Sequence, residues 1–138
     1  MTRLISLILA ASFLGSCTAS MAGPQPRNLR AENELRQALA GKVADRPVDC
    51  LPTRRSNDMR VIDDNTILFR DGRRTYLQAP RGGCAPLGSG HYTLVTQSFG
   101  GSGLCRGDIA RVVDLQSGFT VGSCSFDDFV PFDRPGRS

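Results

Sequence analysis

Hydrophobic positions along this chain fall into three patterns. There is one nearly continuous run near the N-terminus, then one stripe at helical spacing, then short β-prone runs separated by glycine, proline and aspartate. Residues 4–14 (LISLILAASFL) follow the positive Arg3 as a nearly continuous apolar segment, which is the make-up of a secretory leader. About eleven residues are too few to cross a bilayer core, which takes roughly 20 apolar residues in a helix. Further on, Ala31, Leu35, Ala38 and Leu39 recur on one helical face, with Asn28 as a candidate cap, Glu32 and Glu34 in the early turns and Gly41 at the end. This predicts a helix over 28–41. Its apolar stripe is narrow, so the helix is expected to pack on the domain rather than to receive a partner.

From Asp45 onward the signals are strand and loop. Val61-Ile62, 66–69 (TILF) and 73–78 (RRTYLQ) are β-prone, and Asp71-Gly72 between the last two is the strongest hairpin signal in the chain. A strict two-residue Asp71-Gly72 turn sets Arg70 opposite Arg73, an unfavourable like-charge pair, so a longer loop is expected. Both faces of these strands are apolar, which suits strands covered on two sides or curling into a barrel. Residues 80–90 are rich in glycine and proline and read as loop, while 92–96, 109–115 and 119–126 read as strands, with Ser117-Gly118 turning between the last two. The expected fold is mainly β: a small antiparallel barrel or roll of about six short strands with one N-terminal helix, α+β being the alternative. Phe126, Phe129, Val130 and Phe132 are expected to close the core, with 134–138 frayed.

At the end of the leader, Leu14-Gly15-Ser16-Cys17 resembles the bacterial lipoprotein lipobox: a branched apolar residue, two small residues and a cysteine. The resemblance implies cleavage before Cys17, lipidation of Cys17 and membrane attachment through the lipid anchor. Thr18, rather than an aspartate, then implies an outer-membrane address, on the periplasmic face of the envelope. The alternative is an ordinary signal peptide cut after Ser20-Met21-Ala22. Residues 18–27, with Pro24 and Pro26 and no hydrophobic period, read as a tether reaching about 35 Å when extended. The organisation is thus leader 1–16, lipidated N-terminus and tether 17–27, one domain 28–133 and a tail 134–138.

Setting Cys17 aside from the five cysteines leaves Cys50, Cys84, Cys105 and Cys124, an even set that reads as two disulfides in an exported domain. No pair has C-x-x-C spacing and His91 is the only histidine, which argues against a zinc or thioredoxin-like centre, and no cofactor or metal is implied. Of the three connectivities, the nested one is preferred: Cys84 with Cys105 around one strand and its Gly-rich loop, and Cys50 with Cys124 near the domain's ends.

Charge adds a candidate surface. The chain carries 17 basic residues and a net charge of +4, and Lys42 is its only lysine. Arginine forks hold carboxylates and phosphates, so an anionic envelope component is a possible partner, and nucleic acid is not expected for an exported chain. Arg54, Arg55, Arg70, Arg73, Arg74 and Arg81 could gather at one end of the first hairpin as an anion-binding cluster; a solvated basic surface is the plainer explanation. Other motifs have bland readings. Gly100-Gly101-Ser102-Gly103 reads as a hairpin loop rather than a phosphate loop, Arg106-Gly107-Asp108 as a turn, and Asp63-Asp64 and Asp127-Asp128 as turn caps rather than calcium ligands.

From Cys50 on, the chain resembles an uncharacterised family of small exported proteobacterial proteins. The residues that carry the resemblance are Cys50, Asp71-Gly72, Cys84-Ala85-Pro86-Leu87, Cys105-Arg106-Gly107-Asp108 and Cys124. It implies no activity and no catalytic residues. The expected function is a non-enzymatic cell-envelope lipoprotein domain with a binding or accessory role. The alternative is a small periplasmic enzyme using His91 with Asp108, Asp127 or Asp128.

Overall fold

The computed structural model describes residues 26–52, 58–97 and 103–136; the leader, Cys17, most of the tether and the candidate pair Arg54 and Arg55 lie outside them. Among the described residues the fold is mainly β, with one α-helix, α1 (Leu29–Ala38), a single 3-10 turn at Leu87–Ser89 and ten strands. These are β1 (Val43–Ala44), β2 (Cys50–Pro52), β3 (Met59–Asp63), β4 (Thr66–Asp71), β5 (Arg74–Gln78), β6 (Tyr92–Thr96), β7 (Gly103–Cys105), β8 (Ile109–Asp114), β9 (Thr120–Ser125) and β10 (Phe129–Asp133). They form three antiparallel sheets, in the orders β1-β10-β5-β4-β3, β2-β7 and β6-β8-β9. Among the described residues the sheets do not close into the expected barrel; they layer in a sandwich-like arrangement. The count rises from six to ten because β1, β2, β7 and β10 are short and carry too little alternation, or a proline, to read as strands.

The five-stranded sheet is covered on both faces, and strand alternation assigns its side chains to each. Ile67 and Phe69 of β4, Tyr76 of β5 and Phe129 of β10 point into the main core, meeting Leu51, Leu104, Ala110, Val112, Cys124 and Phe126 from the other layer. The intervening Leu68 and Leu77 point the other way, where with Ile62 they meet Ala31, Leu35 and Ala38 of the helix. The Asn28 side chain caps that helix by accepting from the Ala31 N–H at 2.8 Å. Phe69, Phe126 and Phe129 pack as a triad with ring centroids 5.8–6.3 Å apart.

The last strand is interior: β10 lies between β1 and β5. Pro131 is tolerated there because its carbonyl accepts from Asp45 N, so its missing N–H faces the short β1 side and not the β5 ladder. Gln78, fully buried, holds the approach to this strand by pairing with backbone in both senses. Its Nε2 donates to the Asp127 carbonyl at 2.7 Å, and its Oε1 accepts from the Asp127 N–H at 3.2 Å.

The disulfides join Cys50 to Cys105 and Cys84 to Cys124, which replaces the nested pairing. Cys50 and Cys105 stand directly opposite on β2 and β7, their Cα atoms 4.0 Å apart. The nested pairing expects Cys84 and Cys105 to close around one strand and its Gly-rich loop. In the fold that segment contains β6, which pairs with β8, and it ends in β7, which pairs with β2. Cys84 is instead placed over β9, where Cys124 points inward. Gly122 permits this approach: a Cβ there would sit 2.7 Å from the Ala85 carbonyl oxygen. The two bonds interleave across sequence separations of 55 and 40. By chain entropy alone each stabilises by about 4 kcal/mol, and less jointly because the loops overlap. Two disulfides are compatible with export, and no helix of the described residues is long and apolar enough to cross a membrane.

Peptide mapping without reductant should recover Cys50 linked to Cys105 and Cys84 linked to Cys124, with a gain of four hydrogens on reduction; a Cys50–Cys124 peptide would contradict the fold. Gly122→Ala should lower stability by about 1–3 kcal/mol in chemical denaturation, since the obstructing atom is backbone and cannot rotate away.

Candidate anion-binding groove

The β4–β5 hairpin does not use the longer loop expected; it keeps two loop residues and turns one residue later than its sequence signal. Gly72 and Arg73 form the two-residue loop, Asp71 faces Arg74 and Arg70 faces Thr75, so the register exchanges a like-charge pair for an opposite-charge pair. Gly72 has φ +56° and Arg73 a negative φ, the signs of a type II′ turn with glycine at its first central position.

This register divides the arginines expected to cluster. Arg70 shares the helix face with Leu68, while Arg74 falls on the opposite side of the sheet. Arg74 Nη2 lies 2.6 Å from Asp133 Oδ2, and this hydrogen bond raises the pKa of the guanidinium. Arg81 stands beyond the far end of β5, 3.2 Å from Asp127 Oδ1, and that contact holds the Asp127 carboxyl below the usual range. Arg73 is exposed at the turn. The expected gathering at one end of the hairpin therefore fails for Arg74 and Arg81, since alternation and strand length separate them from Arg70.

The structure builds a different basic site from Arg70 and residues the sequence did not single out. Alternation places Arg60, Leu68, Arg70 and Thr75 on the helix face of β3, β4 and β5. Helix α1 stops at Ala38, and Gly41, at φ +70°, turns the chain so that Lys42 returns over this face with Nζ donating to the buried Thr75 hydroxyl. The result is a groove of about 370 Å³ with Ala38 and Leu68 as apolar lining, Lys42, Arg60 and Arg70 as cations and Asp58 as its acid. Arg60 Nε donates to Glu34 Oε1 at 2.7 Å and Arg70 Nε to Asp58 Oδ2 at 2.8 Å, so each of these two cations is held by one carboxylate through Nε. Lys42 has its pKa lowered from 10.5, first by burial and then by the charges of Arg134 and Arg70, against a smaller opposing effect of Asp133. An anion in the groove would reverse part of that shift.

The remaining candidates are dispersed. His91 is exposed just before β6, where its carbonyl accepts from Leu115 N. Asp108 precedes the opposite end of β8, about 20 Å away along the strand, and Phe126 N donates to its carbonyl, which puts Asp127 and Asp128 at that same end. The Asp108 carboxylate closes the Arg106-Gly107-Asp108 turn by accepting from Cys105 N at 2.8 Å. Asp63 and Asp64 act as turn acceptors, for Asn65 N and Gly88 N respectively. Among the described residues no three His, Cys, Asp or Glu side chains come together as a metal site. Gly100, Gly101 and Ser102 lie outside the described residues, and Gly103 opens β7.

No protein-family profile, curated protein or solved structure matches this chain.

Because burial and then Arg134 depress Lys42, Arg134→Ser should move the Lys42 titration upward relative to the parent protein labelled in the same way. Reductive methylation with ¹³C-formaldehyde tags Lys42 as the only side-chain amine, so one NMR titration reads the shift.

Proposed function

We propose that this chain is an exported binding domain of the bacterial cell envelope, held at the membrane by lipid on Cys17 and working by binding rather than catalysis. Its partner is an anionic envelope component. The observation that carries this reading is the groove itself, where three cations, Lys42, Arg60 and Arg70, surround an apolar lining of Ala38 and Leu68 and outnumber the two carboxylates they meet among the described residues, Asp58 and Glu34. Cations over an apolar strip suit an anionic group attached to a hydrocarbon or sugar ring better than a free inorganic ion, because the apolar strip would add burial to charge pairing. The interleaved disulfides supply a frame for an oxidising compartment, and the leader and lipobox supply the address.

The test is equilibrium binding of the purified chain to lipopolysaccharide, a phosphorylated envelope glycolipid. Lys42→Gln combined with Arg70→Ser should weaken binding on the order of tenfold or more, the scale of one or two charge-assisted hydrogen bonds. Arg74→Ser, on the other side of the sheet, should leave it within a factor of about two. Equal losses for both variants would mean diffuse surface charge and would overturn the groove as the site.

A further inference from the structure

The β8–β9 hairpin ends in a tip that the groove does not use. Leu115 is 63% exposed and Phe119 74% exposed, and both project from the same short turn. The turn is not loose. Asp114 Oδ1 accepts from Gln116 N at 2.9 Å, Ser117 N at 2.7 Å and the Ser117 hydroxyl at 2.9 Å, while Asp114 N donates to the Phe119 carbonyl at 2.9 Å. The only carboxylate of the tip is thus engaged within the turn, and Leu115 and Phe119 stand exposed beside the uncharged Gln116 and Ser117, so the tip presents no charged side chain outward.

A run of contacts links this tip to the place where the N-terminal segment joins the domain. Arg27 is pinned by Asp63 Oδ2 and by the Thr66 hydroxyl, each at 2.6 Å. Next to Asp63, Asp64 Oδ1 accepts from Gly88 N at 2.6 Å, and Gly88 leads through Gly90 to His91, whose carbonyl accepts from Leu115 N at 3.1 Å. Leu29, 83% exposed, lies at the start of the helix beside the pinned arginine. We infer that Leu115 and Phe119 form a membrane-contact site that seats in the interfacial layer of the bilayer carrying the lipidated N-terminus. The inference rests on the reading of Cys17 as lipidated.

Size and tether length select lipid as the occupant. Two projecting side chains present on the order of 300 Å² of surface, whereas a stable protein interface takes about 1,200 Å² or more. A bilayer needs no such area, because residues 18–27 keep the domain within about 35 Å of the anchor. Tethering makes the second contact intramolecular, so a weak apolar tip suffices. Aromatic and branched aliphatic side chains are also the types that partition into the headgroup–acyl boundary.

The chain contains no tryptophan, so Phe119→Trp in the mature, membrane-extracted protein reports on one position, and high exposure there spares the core. Val43→Trp, on exposed β1 at the other end of the helix, is the control. In vesicles of phosphatidylethanolamine and phosphatidylglycerol, the indole introduced at position 119 should shift to shorter emission wavelength and be quenched by brominated acyl chains, while the control keeps its aqueous emission. Intact mass establishes the lipid on Cys17 in the same sample. Lipidated protein whose Phe119→Trp emission stays aqueous, or is quenched no more than the control, would overturn the membrane contact and leave the lipoprotein reading standing. A blue shift that grows with protein concentration without vesicles would assign the tip to a second copy and overturn it too. An unlipidated mature chain would overturn both.

Discussion

The rest of this fold depends on its last strand. β10 lies inside the main sheet, between β1 and β5, so the sheet is incomplete until nearly the whole chain has been placed. Phe126 and Phe129, flanking the turn into that strand, are fully buried and complete the aromatic triad with Phe69. The turn between them is fixed by the amide of Gln78 acting as a backbone mimic. An amide buried without partners would be a liability, but one that satisfies both a carbonyl and an N–H holds the turn at a single register. Contacts of this kind are distant in sequence, so loop entropy is lost before they form.

The disulfides act on the same difficulty. Cys50–Cys105 joins the small β2–β7 sheet across its own ladder, and Cys84–Cys124 pulls the loop after β5 onto β9. Because they interleave, neither loop can open fully while the other bond is intact, and together they restrict the unfolded chain from β2 to β9. What they cannot do is cover the sheet's second face. A helix of ten residues runs about 15 Å, and α1 stops at Ala38 while β4 and β5 continue toward Asp71 and Arg74. The strip beyond the helix carries Arg60 and Arg70, side chains suited to water, and the returning chain adds Lys42 over the buried Thr75. The groove follows from a helix shorter than the face it covers.

Much of this was legible in the residues. Asn28, the apolar stripe and Gly41 marked a helix and its cap, and apolar residues of both parities in β4 announced a strand covered on two sides. Phe126 and Phe129 marked the C-terminal segment as core. Less legible were strands such as Val43–Ala44 and Gly103–Cys105, whose identity comes from partners and not from their own pattern. The hairpin signal at Asp71-Gly72 was real, but its register was set by Gly72 at the positive-φ position and by Asp71 facing Arg74. The cysteine pairing was hidden because it depends on which sheet each strand joins. Grouping arginines by sequence proximity failed for a simple reason. Along a strand, residues an even number apart share a face, but across a hairpin the register decides, and it sent Arg70 and Arg74 to opposite sides.

That division also gives the domain a polarity. The tether joins at Arg27 and Asn28, beside the turn of Asp63 and Asp64, whereas the groove opens at the other end of the helix, around Ala38 and Lys42. With the N-terminal end held toward the bilayer as proposed and the helix axis along the membrane normal, the helix length sets the groove about 15 Å further out. At that distance an anion is met above the lipid headgroups of the anchoring leaflet, and the surface potential of those headgroups has decayed by more than one Debye length at physiological salt. The groove's cations are then not spent on the membrane beneath them. Under that proposal, the component they reach is one that stands up from the bilayer.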